Sequence, residues 1–359
     1  MKKIIIISIF SVLLILAVIL SFVNLFPSGK YFADGNCVDN RYNNCYLSEG
    51  KIVEIDNKIY FNYNGKDSIF LYGLYEIGEN GSKRKFWNGP SFEPANNLYR
   101  LQKINDRLLF SNYTDDNTYS VSENKIIPQF CGDLFNLDSQ TNKLNKLYSI
   151  NINGRPICGY YYIIDNKIYI FTNDKIYVSE DGLNAVEIFN GLADVVNKTA
   201  YEKLCYISDN TLSYISNDNY LFEYDLLTKE QKCAVSLSGI SNDPNNYGEL
   251  FTCGEEAILT LYNGDYISVY TIDDEADLIY KKESNDYYYV NSYDNKIFIS
   301  SNSIGLDMLD VKTGNTKTLV KTNVLDTYIF DNKWVYYVDT NGDLNRVTKT
   351  GEISEIVFK

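Results

Sequence analysis

The stretch YIFDNKWVYYVDTNGDLNRVTKTGE, Tyr328–Glu352, decides the fold. Its tripeptide Asp331-Asn332-Lys333 also occurs at Asp56, Asp165 and Asp294, each time between runs rich in Tyr, Ile, Val and Phe. Asp and Asn bond their own backbone and Asn tolerates positive φ, so Asp-Asn between two β-rich runs reads as a hairpin turn. Weaker copies fill the gaps: NDRLLF at Asn105, DNTLSY at Asp209 and GEEAIL at Gly254.

The anchors therefore fall at Asp56, Asn105, Asp165, Asp209, Gly254, Asp294 and Asp331, with spacings of 49, 60, 44, 45, 40 and 37 residues. An all-β period of about 40–50 residues is the signature of propeller blades. A second element recurs with it. LFNLDSQT at Leu134, LFEYDLLT at Leu221 and LDMLDVKT at Leu306 share the pattern L-x-x-x-D-x-x-T, in which a strand ends at the Asp and the Thr closes a turn. LNRVTKTGE at Leu344 is a degenerate copy, and the Asn-Gly pairs at Asn263 and Asn341 mark a further turn between second and third strands. Each unit thus reads as four antiparallel strands, in the last unit near 324–330, 333–338, 343–348 and 352–357. The expected fold is an all-β, seven-bladed β-propeller, with six or eight blades as the alternatives. TDDNTYSVSENKIIPQFCG, Thr114–Gly132, makes the second unit long and reads as an insertion or extra hairpin. The final strand comes from the C-terminus itself, and residues 31–47 are the candidates to pair where the ring closes.

The last unit, Lys333–Glu352, resembles the repeat of low-density-lipoprotein-receptor propellers, which centres on Tyr-Trp-Thr-Asp. Tyr336, Tyr337, Val338 and Asp339 occupy those four positions, and Asn57–Gly81 is a looser version. Over residues 50–359 the chain resembles an uncharacterised bacterial family of exported, anchored propellers with such YWTD-type repeats. The resemblance implies a binding or scaffold role and brings no catalytic residue.

The N-terminus reads as a membrane anchor. Lys2 and Lys3 precede an uncharged, mostly apolar run over residues 4–26. At 1.5 Å per residue a helix there spans about 34 Å, against a hydrocarbon core of roughly 30 Å. No small-x-small cleavage site follows it, and Pro27-Ser28-Gly29 breaks the helix. The positive charge at its start leaves the remainder outside the cytoplasm, tethered to the cell membrane by a single pass. A long cleaved signal is the alternative. The expected organisation is an anchor at 1–29, a linker or ring-closing segment at 30–49 and the propeller at 50–359.

Composition restricts the function. The net charge of −14 argues against a nucleic-acid surface, which needs basic patches. The sequence contains no histidine, which removes Ser-His-Asp and Cys-His nucleophile systems and His-ligated zinc. No catalytic, cofactor-binding or metal-binding residue is expected. VSEDGLNAVEI resembles a sialidase-type Asp box at Ser179 and Asp181 but lacks its Trp, so it reads as a turn. The acidic groups near Thr114, Ile272 and Asp339 lack the calcium-loop spacing and read as hairpin tips. Cys37 and Cys45 bracket NCVDNRYNNC and are the candidates for a disulfide outside the cell. The other five cysteines read as small core residues. Tyr160–Tyr162 and Tyr287–Tyr289 read as innermost-strand runs that mostly pack between blades, with rim tyrosines left to contact a ligand. The leading expectation is an extracytoplasmic protein-binding scaffold. A glycan-binding module and a carboxylate-based glycosidase or lyase are the alternatives.

Overall fold

The computed structural model describes residues 204–208, 210–241, 246–321, 323–329 and 333–358, and before them mainly the strands between 52 and 192. The N-terminal run at 4–26, the 30–49 segment and Cys37 and Cys45 lie outside the described residues. Within them the chain is almost wholly β. Seven four-stranded antiparallel sheets follow one another along the sequence, at 52–87, 98–147, 160–190, 205–236, 247–283, 288–320 and 324–358. Six of them pair their strands in sequence order. The second has its first two strands, Leu98–Ile104 and Arg107–Asn112, followed by a separate hairpin, Asp115–Ser120 with Lys125–Phe130, before its last two strands. This is the insertion that the long second unit announced. Asp115 and Asp116 lie on a strand of that hairpin, not at its tip.

The repeated turn accounts for the first pairing in each sheet. Closing pairs Ile55↔Lys58, Ile104↔Arg107, Ile164↔Lys167, Ser208↔Thr211, Cys253↔Glu256 and Tyr293↔Lys296 leave two residues between the strands. In the Asp294-Asn295 turn both residues are left-handed, at φ 47° and 55°, the combination a two-residue type I′ turn requires. Gly254 plays the same part at φ 67°. Asp56, Asn105, Asp165, Asp209 and Asp331 lie outside the described residues, between strand ends paired in this way or, at Asp331, between Ile329 and Val335.

The second repeated element closes the outer hairpin. Asp138, Asp225 and Asp310 each end the third strand of a sheet. Asp225 Oδ1 accepts the amides of Leu227 and Thr228, at 2.8 and 2.9 Å. Asp310 Oδ1 accepts both the amide and the hydroxyl of Thr313, at 3.0 and 2.9 Å. These bonds favour the ionised form. They hold Asp225 below the usual carboxylate range chiefly through the Thr228 amide, and Asp310 chiefly through the Thr313 hydroxyl.

The outer edge carries a feature the turns do not reveal. In six sheets the pairing of third and fourth strands carries a bulge, which leaves one residue of the fourth strand without a cross-strand partner: Phe86, Ile188, Ala234, Ile279, Leu319 and Val357. A bulge sharpens local twist and turns an edge strand away from further pairing. Each skipped residue is apolar and precedes another apolar one, giving FW, IF, AV, IY, LV and VF in the sequence.

Packing places the sheets side by side. First strands of sheets four and five, five and six, six and seven, and one and two lie against each other, so they share an inner side. Successive residues of a strand serve opposite seams. Ile299 packs with sheet five, Phe298 with sheet seven, and both are fully buried. One core runs through sheets three to six, a second joins sheets six and seven, and a third joins sheet seven to sheet one. In that third core Phe358, the last residue of the final strand, meets Phe61 and Tyr75 edge-on, at 5.7 and 4.7 Å between centroids.

Candidate functional site

Antiparallel pairing sends the Asp-Asn turns to one end of every sheet. The second-to-third turns and the connections between sheets go to the other. At that other end, where sheet five passes into sheet six, several hydroxyls fix the backbone. Ser284 N donates to Asp265 O at 2.8 Å, which ties the connection to the Asn263–Gly264 turn. Ser284 Oγ bonds Ser303 Oγ at 3.1 Å and donates to Asp286 O at 3.3 Å, and Ser301 Oγ accepts the amide of Ile304 at 3.0 Å. Ser284 and Ser301 are buried, so the platform is held from below. Tyr287 stands on it with 89% of its surface exposed, more than any other large hydrophobic residue among those described. Asp265, exposed, and Asp286, half-buried, flank this connection.

The next residue is anchored as firmly as Tyr287 is free. Tyr288 Oη bonds Thr260 Oγ1 at 2.7 Å, and Thr260 Oγ1 accepts the Glu249 amide at 2.8 Å. Burial, and then the charge of Glu249, push the Tyr288 hydroxyl well above its ordinary range, so it stays protonated. Its ring lies 5.9 Å from that of Tyr262. Gly248 makes this possible, because a Cβ there would come within 1.9 Å of Tyr288 Oη and 2.7 Å of Thr260 Oγ1. Gly248→Ala is therefore expected to break the Tyr288–Thr260 bond and cost about 1–3 kcal/mol. A thermal melt unchanged from the parent would show that the hydroxyl does not occupy this position.

The tyrosine run thus divides where the strand begins: Tyr287 lies on the connection before the strand Tyr288–Tyr293 and faces water, while Tyr288 is anchored inward. Tyr160–Tyr162 begin the first strand of sheet three, and their side chains lie outside the described residues. Many other tyrosines fill seams; Tyr206, Tyr214, Tyr247, Tyr280, Tyr328 and Tyr336 are all buried. Tyr247 Oη donates to Asn219 Oδ1 at 2.5 Å, and burial raises its pKa to about 12.

The remaining sequence candidates are turn and seam elements. Ser179 is buried at the end of a strand, and Asp181 lies outside the described residues. Asp273 and Glu275 form the tip between third and fourth strands of sheet five. Asp339 Oδ1 accepts the amides of Asn341 and Asp343, which closes the turn after the receptor-like Tyr336–Asp339 on the second strand of sheet seven. Cys205 and Cys253 are buried, and burial pushes the Cys253 thiol up to about 12. Among the described residues no cluster of His, Cys, Asp or Glu is placed to hold a metal ion.

Two buried carboxylates that sequence reasoning passed over are engaged. Asp326 Oδ1 accepts the Thr327 amide and its Oδ2 the Tyr328 hydroxyl, at 2.8 and 2.5 Å. Asp307 in sheet six accepts Tyr280 Oη and Lys282 Nζ from sheet five, at 2.9 and 2.7 Å, and Thr318 Oγ1 at 2.6 Å. The two lie in different sheets, Asp326 bound within its own strand and Asp307 across to sheet five.

No family model matches the chain, and no curated protein matches it, so the likeness to the receptor repeat rests on the residues quoted above. Solved structures share the fold. The N-terminal domain of the β-propeller protein Nup159 aligns at TM-score 0.50 and 10% identity, over 89% of this chain and 94% of that one. The extracellular domain of BT4673 from B. thetaiotaomicron aligns at TM-score 0.55 and 14% identity, covering 92% of this chain and 44% of that one. Puromycin hydrolase aligns at 0.54 and 7%, over 93% of this chain and 56% of its own. At these identities the likeness concerns the fold.

Proposed function

We propose that the seven sheets are the blades of a closed seven-bladed β-propeller that binds a protein partner outside the cytoplasm, tethered to the membrane through residues 4–26. Closure is supported by the Phe358 contact with sheet one, which repeats a contact made inside the array. There Phe189, in the fourth strand of sheet three, meets Tyr214 and Tyr224 of sheet four at 5.8 and 5.0 Å. Tethering is supported by the length and charge pattern of the N-terminal run. The role is that of a scaffold, not an enzyme. Asp307 and Asp326 are engaged in contacts within and between the sheets, so neither is proposed as a catalytic acid.

The observation that carries the binding role is Tyr287, a large ring held in water on a platform fixed by buried serines. Tyrosine is a rigid amphipathic contact that loses little conformational entropy on binding, and a fixed backbone lowers the cost further. The test is a cross-linked pull-down from the native cell envelope with the full chain, and with Tyr287→Ala beside it. The expected result is a reproducible protein partner whose recovery falls at least about tenfold in the variant, as for a residue central to an interface. Recovery of glycan alone, or of cleaved glycan, overturns the reading in favour of the glycan module or the glycosidase.

A further inference from the structure

We infer that the platform takes a cationic segment of its partner, with a Lys or Arg side chain over the Tyr287 ring and the carboxylates of Asp286 and Asp265 beside it. This rests on the protein-binding reading and specifies the partner's chemistry. Three observations converge on it. The first is the ring itself, 89% exposed, whose face attracts a cation. The molecule makes this contact elsewhere: Lys281 Nζ sits 4.5 Å from the centroid of Tyr266, and Arg346 Cζ 4.2 Å from that of Trp334.

The second is local charge. Asp286 precedes Tyr287, and Asp265 is drawn to the same connection by its backbone bond to Ser284. The nearest lysines of sheet five are committed, Lys282 to Asp307 at 2.7 Å and Lys281 to the Tyr266 ring. The third is the charge of the whole chain, −14, which steers a cationic segment inward and repels an acidic one. An exposed aromatic ring with acidic residues on its own connection and on the turn tied to it matches a side chain that carries both an alkyl stem and a positive head.

The test uses the full chain and three labelled octapeptides, alternating Gly with Arg, Gly with Ser and Gly with Glu. Binding is read by fluorescence anisotropy at on the order of 0.15 M salt, where long-range attraction is largely screened. The Gly-Arg peptide is expected to bind best. Tyr287→Ala should weaken it about three- to thirtyfold, and Asp265→Asn with Asp286→Asn by a comparable factor, while Tyr287→Phe keeps most of the affinity. All three positions are at or near the surface, and a circular-dichroism spectrum matching the parent confirms that each variant is folded. Equal Gly-Arg binding by Tyr287→Ala would reduce the effect to overall charge and overturn the inference, as would equal binding of the three peptides. Loss of partner capture in Tyr287→Ala without a preference for Gly-Arg overturns it too, yet leaves the protein-binding reading in place.

Discussion

Asp307→Ala lowers the stability of the fold by about 2–4 kcal/mol, the largest loss expected from any single polar side chain described above. The carboxylate is almost wholly buried, 2% exposed, and joins two sheets through three partners. Removing it strands the Tyr280 hydroxyl, which is itself buried and raised in pKa first by desolvation and then by the Asp307 charge. Lys282 is 37% exposed and turns to water, which keeps the loss below that of a fully buried pair. Asp307→Asn preserves shape and one acceptor oxygen and should cost less than the alanine. The two are separated by urea unfolding followed by circular dichroism. A loss under about 0.5 kcal/mol for alanine, as for an ordinary surface change, would mean that the two sheets do not meet through this carboxylate.

That residue also shows where the sequence stops being readable. LDMLDVKT announces its turn, because Asp310 and Thr313 act within three positions of each other and local chemistry decides their geometry. Asp307 stands in the same eight residues. Its role depends on Tyr280 and Lys282, 27 and 25 positions away, on a sheet whose placement only packing determines. The Asp-Asn turns, the Asn-Gly turns and the four strands of the last unit were legible for the local reason. Observed strands at Val324–Ile329, Trp334–Asp339, Leu344–Thr348 and Ser354–Phe358 lie close to the expected ones. The fourth-strand bulge had a signal, two apolar residues in succession near the strand's end, but a pair of apolar residues has many other meanings. Tyr287 and Tyr288 were visible as a run. Which of them faces water depends on where the strand begins, between Tyr287 and Tyr288, and Gly248 beneath Tyr288 acquires its meaning only from the pairing of the sheets.

The second large effect concerns the contact between the two ends of the array. Phe358→Ala is expected to cost about 3–5 kcal/mol, the usual range for a buried ring whose space cannot refill. The ring is 5% exposed, lies against Phe61 and Tyr75, and has Lys83 Nζ 4.6 Å from its centroid. Among the described residues each of the seven sheets is built from one segment of chain, and no described strand crosses between the last sheet and the first. The contact seen between them is side-chain packing, with Phe358 at its centre. Phe189→Ala is the matched control, since Phe189 follows the bulge in the fourth strand of sheet three, as Phe358 does in sheet seven, and packs on sheet four in the same way. If the ring is closed, both variants lose comparable stability, and Phe358→Ala also admits limited proteolysis between sheets seven and one, because those two sheets then part. A Phe358 variant that melts with the parent while Phe189→Ala does not would leave the array open at its ends, and would make the first and last sheets edges, not neighbours.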